Sequence, residues 1–202
     1  MKDTLDLAHE FLPEGGWIHL DVADARFTYN RTWGNPEEWK ALRCGYRLEA
    51  HLMAEEPEKV IDSWLDAGAE RLIVHLETLS LNRPEAMEYI LRECKKRNAE
   101  AFLAINPETP VERLYAFANK FSGFQTLAVH PGLAGQKFYP LVIDKIRALR
   151  EKYPKMQIEA DGGINAETGK RAKDAGANIL VAASYVFGAM NPKGAYQELL
   201  HL

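Results

Sequence analysis

The chain has 202 residues, 47% hydrophobic, 27% charged and 10% aromatic, which is enough to bury a core and too evenly mixed for a collagen-like, low-complexity or disordered chain. Lysine and arginine number 25 against 29 aspartate and glutamate, a net charge of −4, and no basic run stands out, so neither nucleic acid nor an anionic membrane is expected as a partner. Cys44 and Cys94 form no CxxC pair, the N-terminus shows no apolar leader and no stretch reaches the roughly 18 apolar residues of a span, so a reduced, cytoplasmic chain is expected.

The first predicted element is a short helix over 4–11 with Leu5, Leu7, Ala8 and Phe11 on its apolar side. Apolar runs then read as strands at 17–22, 47–52, 71–76, 101–105, 126–129, 157–160 and 178–182. Helical patterns lie between and after them at 36–43, 57–67, 84–97, 110–120, 140–152, 167–175 and 193–200. Proline opens several of these helices, where its missing N–H costs nothing, and Gly68 and Gly176 stand where a left-handed stop is expected. Strand and helix alternating with near-continuous apolar strands predict an α/β fold with a parallel sheet covered by helices. Seven such units fit a TIM-type (β/α)8 barrel better than an open doubly wound sheet, with the first strand absent from the pattern. No linker divides the chain, so 1–202 is read as one domain. A seven-stranded barrel leaves two unpaired edges. The segment 1–16 is expected to plug that gap, or a second copy to cover it, and a homo-oligomer is expected.

The strongest local signal is Trp17-Ile18-His19-Leu20-Asp21. Residues two apart on a strand share a face, so His19 and Asp21 point together, and inward-pointing groups at strand C-termini are where barrels keep active sites. His51 sits similarly at the end of the second strand, and Asp161 leaves a strand into Gly162-Gly163. Two histidines and two aspartates from three strand ends are able to converge on one metal; each taken singly also suits a satisfied core histidine or turn chemistry. Gly162 and Gly163 suit backbone approach to an anion. The loop carrying Gly132 and Gly135 is too glycine-rich for a plain connector, and Ala183-Ser184 follows the last strand, where barrels often hold phosphate. His75 and Glu77 share a strand face and read as a supporting pair.

Taken in order, His19-Leu20-Asp21-Val22, His51-Leu52-Met53, Asn106-Pro107-Glu108-Thr109-Pro110, Pro131-Gly132-Leu133-Ala134-Gly135-Gln136-Lys137-Phe138 and Asp161-Gly162-Gly163-Ile164-Asn165 resemble the ribulose-phosphate 3-epimerase family over 17–188. The resemblance implies a (β/α)8 barrel holding one divalent metal ion (zinc, iron(II), manganese or cobalt) on His19, Asp21, His51 and Asp161. It implies an isomerase of the pentose phosphate pathway that interconverts D-ribulose 5-phosphate and D-xylulose 5-phosphate, with Asp21 and Asp161 as acid and base. It further implies a small-molecule sugar phosphate as partner. Met53 would cap that ligand, the Gly132 and Gly135 loop would lie beside it, and Gly162, Gly163, Ala183 and Ser184 would offer N–H groups to the phosphate.

The chain departs from the family pattern at several points. It shows no counterpart of a first strand bearing a serine, reads Ala23-Asp24-Ala25 where Met-Asp-Gly is usual, has Leu127 for a methionine and Ala183 for a glycine. These departures leave a second reading, a relative that binds a sugar phosphate or metal without turnover. A sister branch of keto-sugar-phosphate decarboxylases typically carries an Asp-x-Lys strand motif, and position 23 is alanine.

Overall fold

The computed structural model describes residues 2–79, 83–132 and 136–202. Its strands are β1 (Trp17–Ala23), β2 (Arg47–Met53), β3 (Ala69–His75), β4 (Glu100–Ile105), β5 (Gly123–Leu127), β6 (Gln157–Asp161) and β7 (Ile179–Val181). They pair in chain order and every pairing is parallel. The helices are α1 (Lys2–Ala8), α2 (Pro36–Leu42), α3 (Ile61–Asp66), α4 (Pro84–Lys96), α5 (Val142–Lys152), α6 (Ala166–Ala175), α7 (Ser184–Phe187) and α8 (Pro192–Leu200).

The period of two along each strand decides what lies inside and outside. Leu48, Leu52, Leu72, Leu103, Ile105, Phe124 and Ile158 face outward and join Trp64, Ile90, Leu114, Ile146 and Leu149 in the main core. Full burial of each such side chain contributes about 1.5–3 kcal/mol. The alternate positions point into the barrel, and among the described residues Ile73, Phe102 and Ala104, with Ile179 against them, form a small apolar cluster there. Most of the remaining inward positions are polar: Glu49, His51, Arg71, His75, Gln125 and Glu159 are all buried.

Seven strands and their order agree with the sequence reading, while several boundaries differ. The helix expected over 57–67 opens as a 3₁₀ turn, Pro57–Lys59, before α3, and that expected over 110–120 is a 3₁₀ helix, Val111–Phe117. The strand expected at 126–129 is β5, which begins at Gly123 because Gln125 faces inward and is buried rather than marking a turn. Helix α7 was not anticipated, and the N-terminal helix stops at Ala8, five residues before Pro13.

Among the described residues β7 does not pair with β1. Leu5 and Ala8 of α1 are buried, and the Phe11 ring lies 5.2 Å from Tyr196 and 6.1 Å from Phe187. The N-terminal segment therefore covers the outside of the seam without adding a strand to it. Behind it remains a cavity of about 770 Å³ bounded by Leu5, Trp17, Leu20, Ile179 and Leu180, which runs inward to His19 and Asp161. The segment walls the gap and does not plug it.

Candidate active site

Three strands deliver the four residues singled out in the sequence. The β1–β2 register sets Asp21 beside His51 and His19 beside Glu49, and Asp161 ends β6. His51 Nδ1 is 2.9 Å from Asp21 Oδ1 and 3.6 Å from Asp161 Oδ2, while His19 Nε2 is 3.3 Å and 3.8 Å from the same two oxygens. One ligand atom from each of the four lies within 4.8 Å of the others. The two carboxylates belong to strands separated by β7 and the seam on one side and by β2–β5 on the other.

The donor set suits a divalent cation on its own chemistry: two imidazole nitrogens and two carboxylate oxygens converge from rigid strands. The electrostatics agree. Burial, with the charges of Asp21 and Glu49 adding to it and His19 opposing it, pushes the Asp161 carboxyl up to about 7. A cation between the aspartates would relieve that repulsion. Burial also works to raise Asp21, but hydrogen bonds from His19 and His51 outweigh it and hold its carboxyl far below the usual range. Burial lowers His51 to about 4 against the pull of Asp21, leaving a neutral imidazole. For His19, burial works downward and is overcome by hydrogen bonds to Asp21 and Glu49, so it holds its proton well above the usual value.

A second cavity, of about 150 Å³, opens above this cluster. Met53, Gly132, Gly162, Gly163, Ala183 and Ser184 all line it, with Asp21, His51 and Asp161 at its floor. Gly135 lies outside the described residues. The Gly-Gly turn has a local cause. Gly162 takes φ +102° and Gly163 φ +65°, and a Cβ on them would collide with Val129 and with the Phe138 backbone. Asn165 then caps α6, accepting from the Glu167 and Thr168 N–H groups at 2.9 and 3.0 Å, while the Thr168 hydroxyl donates to the Gly163 carbonyl at 2.8 Å. The Gly162 N–H donates to the Asp161 carboxyl and works to lower its pKa, favouring the ionised form.

Sequence reasoning missed a layer of polar groups beneath the cluster. Gln125 donates to both Glu159 Oε1 at 3.0 Å and Asp161 Oδ2 at 3.1 Å. Glu49 accepts from His19 Nδ1 at 2.6 Å. The Thr32 hydroxyl donates to the Asp21 carbonyl at 2.6 Å and accepts from the Ala23 N–H at 2.8 Å, clamping the end of β1. The signal for two of these was available: Glu49 precedes His51, and Glu159 precedes Asp161, by the same two residues that paired His19 with Asp21. His75 and Glu77 are the supporting pair that was expected, His75 Nε2 lying 2.8 Å from His51 Nε2 and its Nδ1 3.4 Å from Glu77.

The family model described as "Ribulose-phosphate 3 epimerase family" matches residues 6–187. The chain belongs to the ribulose-phosphate 3-epimerase family. A Schizosaccharomyces pombe protein named ribulose-phosphate 3-epimerase is 39% identical over 88% of this chain and 77% of its own length. A Mycobacterium bovis protein of the same name is 32% identical over 98% and 87%, and a rice protein named as the cytoplasmic isoform is 35% identical over 87% and 77%. Membership makes this chain an isomerase-class epimerase acting on a carbohydrate. Among solved structures, a 3-hexulose-6-phosphate synthase from Salmonella typhimurium superposes with a TM-score of 0.72 at 16% identity, covering 99% of this chain and 92% of that one. Likeness at that identity speaks for the barrel fold alone. No helix among the described residues is long and apolar enough to cross a membrane.

Proposed function

We propose that this epimerase interconverts D-ribulose 5-phosphate and D-xylulose 5-phosphate, using a divalent cation held by His19, Asp21, His51 and Asp161. The observation that carries the reading is the convergence of those four side chains, three of which, Asp21, His51 and Asp161, form the floor of a cavity lined by the Gly162-Gly163 turn. Zinc, iron(II), manganese and cobalt all suit two imidazoles and two carboxylates. Such a cation supplies Lewis-acid stabilisation of negative charge on a substrate oxygen.

Inverting carbon 3 requires a proton to leave one face beside the carbon 2 ketone and another to return on the opposite face. One carboxylate takes the proton and the other delivers its own. Asp21 and Asp161 come from separate strands, and without a cation their surroundings already set them apart, Asp21 held strongly ionised and Asp161 raised to about 7. Separation of two like groups into acid and base by their surroundings is what this reaction needs. Gln125 holds Asp161 from below, and Thr32 fixes the strand that carries Asp21. The Gly163, Ala183 and Ser184 amides take the phosphate, Gly162 giving the turn its close approach, and Met53 packs over the sugar. We read the chain as cytoplasmic and as a homo-oligomer in which a second copy covers the seam; light scattering on the purified protein tests the latter.

The decisive experiment is turnover of D-ribulose 5-phosphate by protein stripped of metal and reloaded with each of the four ions. Activity should return with at least one of them. Asp161→Asn, which fills the same volume without accepting a proton, should lose about 10²–10⁴-fold in kcat. Full turnover by that variant would sink the two-carboxylate mechanism. Tight metal binding with no turnover on this substrate would point to binding alone.

A further inference from the structure

The two histidines of the cluster are held from behind in different ways. His51 presents Nδ1 to the aspartates, and its Nε2 meets the neighbouring His75. His19 is turned the other way round: Nε2 faces Asp21 and Asp161, and Nδ1 faces a carboxylate, Glu49, at 2.6 Å. Glu49 is 3% exposed and is not free to swing. Its second oxygen accepts from Arg71 Nη1 at 2.6 Å. Arg71 is itself fixed on every side. Its Nε and Nη2 both reach Glu100 Oε2, at 2.7 and 2.6 Å, Nη2 lies 3.3 Å from Gln157 Oε1, and its guanidinium stacks between Trp17 at 4.4 Å and Phe102 at 4.3 Å. Gln157 in turn donates to Glu100 Oε1 at 3.1 Å.

This chain of contacts has a chemical consequence. A carboxylate accepts hydrogen bonds and does not donate them, so Glu49 requires the proton of a neutral His19 to sit on Nδ1. The lone pair is then on Nε2, the atom that faces the two aspartates. A planar guanidinium engaged through three nitrogens sets the carboxylate's position more tightly than a flexible ammonium would.

We propose that Glu49, braced by Arg71, is a positioning residue that fixes His19 as its Nδ1–H tautomer and thereby sets the cluster's affinity for its cation. The inference rests on the metal-dependent reading above. Groups that orient a ligating histidine typically change metal affinity by about 10–100-fold when removed.

The test compares wild type with Glu49→Gln and Glu49→Leu, each first checked for native circular dichroism and a cooperative melt. Zinc affinity is read by competition with a chromophoric chelator, and the His19 tautomer by ¹⁵N–¹H spectra of the zinc-loaded protein. Glu49→Gln keeps an acceptor oxygen and loses the charge, so it should retain the Nδ1–H signature with a modest loss of affinity. Glu49→Leu removes the acceptor and should weaken zinc by about 10–100-fold and broaden or shift the His19 signals. A folded Glu49→Leu variant with wild-type affinity and an unchanged His19 spectrum overturns the proposal. So does a Glu49→Gln variant that loses as much affinity as Glu49→Leu with the tautomer intact, since charge alone would then be responsible. Should Glu49→Leu not fold, Glu49→Gln alone decides: a loss of less than about tenfold with the Nδ1–H signature kept supports the proposal, and a loss of about tenfold or more with that signature kept overturns it. A wild-type protein that binds none of the four metals overturns the parent reading together with this one.

Discussion

The barrel has a closed side and an open side, and the active site is built across both. On the closed side, β2 through β6 are paired on both edges, and His51, Ile73, His75, Phe102 and Gln125 are wholly buried. At the seam, every residue of β7 is half-buried, and the Asp21 side chain on β1 keeps 50% of its exposure. Both sides carry chemistry, yet they hold it by different means. His51 is fixed by complete burial, its contact with His75 and its bond to Asp21, whereas on the seam side His19 is tied to Glu49 and Asp21, and Asp21 to His19, to His51 and, through its backbone carbonyl, to Thr32. A residue on a strand with a free edge needs explicit polar anchors, because packing restrains it from fewer directions.

The largest contrast should appear in stability. Phe102→Ala removes a fully buried ring from the small apolar cluster inside the barrel and should cost about 3–5 kcal/mol. Leu180→Ala at the seam removes a half-buried side chain that already borders the 770 Å³ cavity, and should cost less than about 1.5 kcal/mol because little new void is created. Urea unfolding of both variants measures the difference. Equal costs would mean that the seam is packed in solution, as by a second copy, and that the two sides do not differ in how firmly they are held.

The next effect is a pH dependence of the metal's contribution. Asp161 titrates near 7 in the fold against 3.8 as a free side chain. Between those values the native state holds a proton that the unfolded state lacks, so this contribution to stability falls as pH rises from about 4 to about 7. His19, held above its ordinary 6.5, acts in the same sense at higher pH. His51, depressed to about 4, acts oppositely, adding stability as pH rises from 4 to 6.5. A cation must displace the protons of both Asp161 and His19. The rise in Tm given by saturating zinc should therefore grow between pH 6 and pH 8. Scanning fluorimetry of stripped and loaded protein across that range checks it, and a gain that does not vary with pH would count against a site that competes with protons.

How much of this was legible in the sequence follows from the same two-sidedness. The strand-end residues His19, His51 and Asp161 could be read because strand alternation and a Gly-Gly exit are local signals, and so could the order of seven strands. Arg71 could not, since its partners Glu49, Glu100 and Gln157 lie 22 to 86 residues away in sequence and only the sheet register brings them together. The seam was anticipated from the count of strands, and so was the N-terminal segment at it, but not that the segment would wall the gap from outside and leave a cavity behind. The Phe11 contacts with Tyr196 and Phe187 depend on how two chain ends meet. The 3₁₀ character of Val111–Phe117 was also hidden, because 3₁₀ and α segments share nearly the same apolar spacing over two turns.

The smallest prediction concerns the loop that ties the two sides together. The Asp24 carboxylate, just past β1, accepts from the N–H groups of Arg26 and Phe27 at 2.8 and 2.9 Å and from Glu55, beyond β2, at 2.8 Å. Making that turn obliges Ala25 to take φ +62°, a left-handed conformation in which its Cβ is crowded. Glycine would relieve that strain, worth about 1 kcal/mol or more, and would surrender part of the gain to a more flexible unfolded chain. Ala25→Gly should therefore stabilise the protein by about 0.5 kcal/mol, raising Tm by about 1–2 °C for a chain of this size. The same exchange at Ala148 within α5 should cost about 1 kcal/mol, since a helix interior favours alanine. Opposite signs at the two positions in one calorimetric series would show that the Asp24 turn is strained. A loss at Ala25 would mean that the loop relaxes out of the left-handed region and that Asp24 binds the two sides less firmly than its three hydrogen bonds imply.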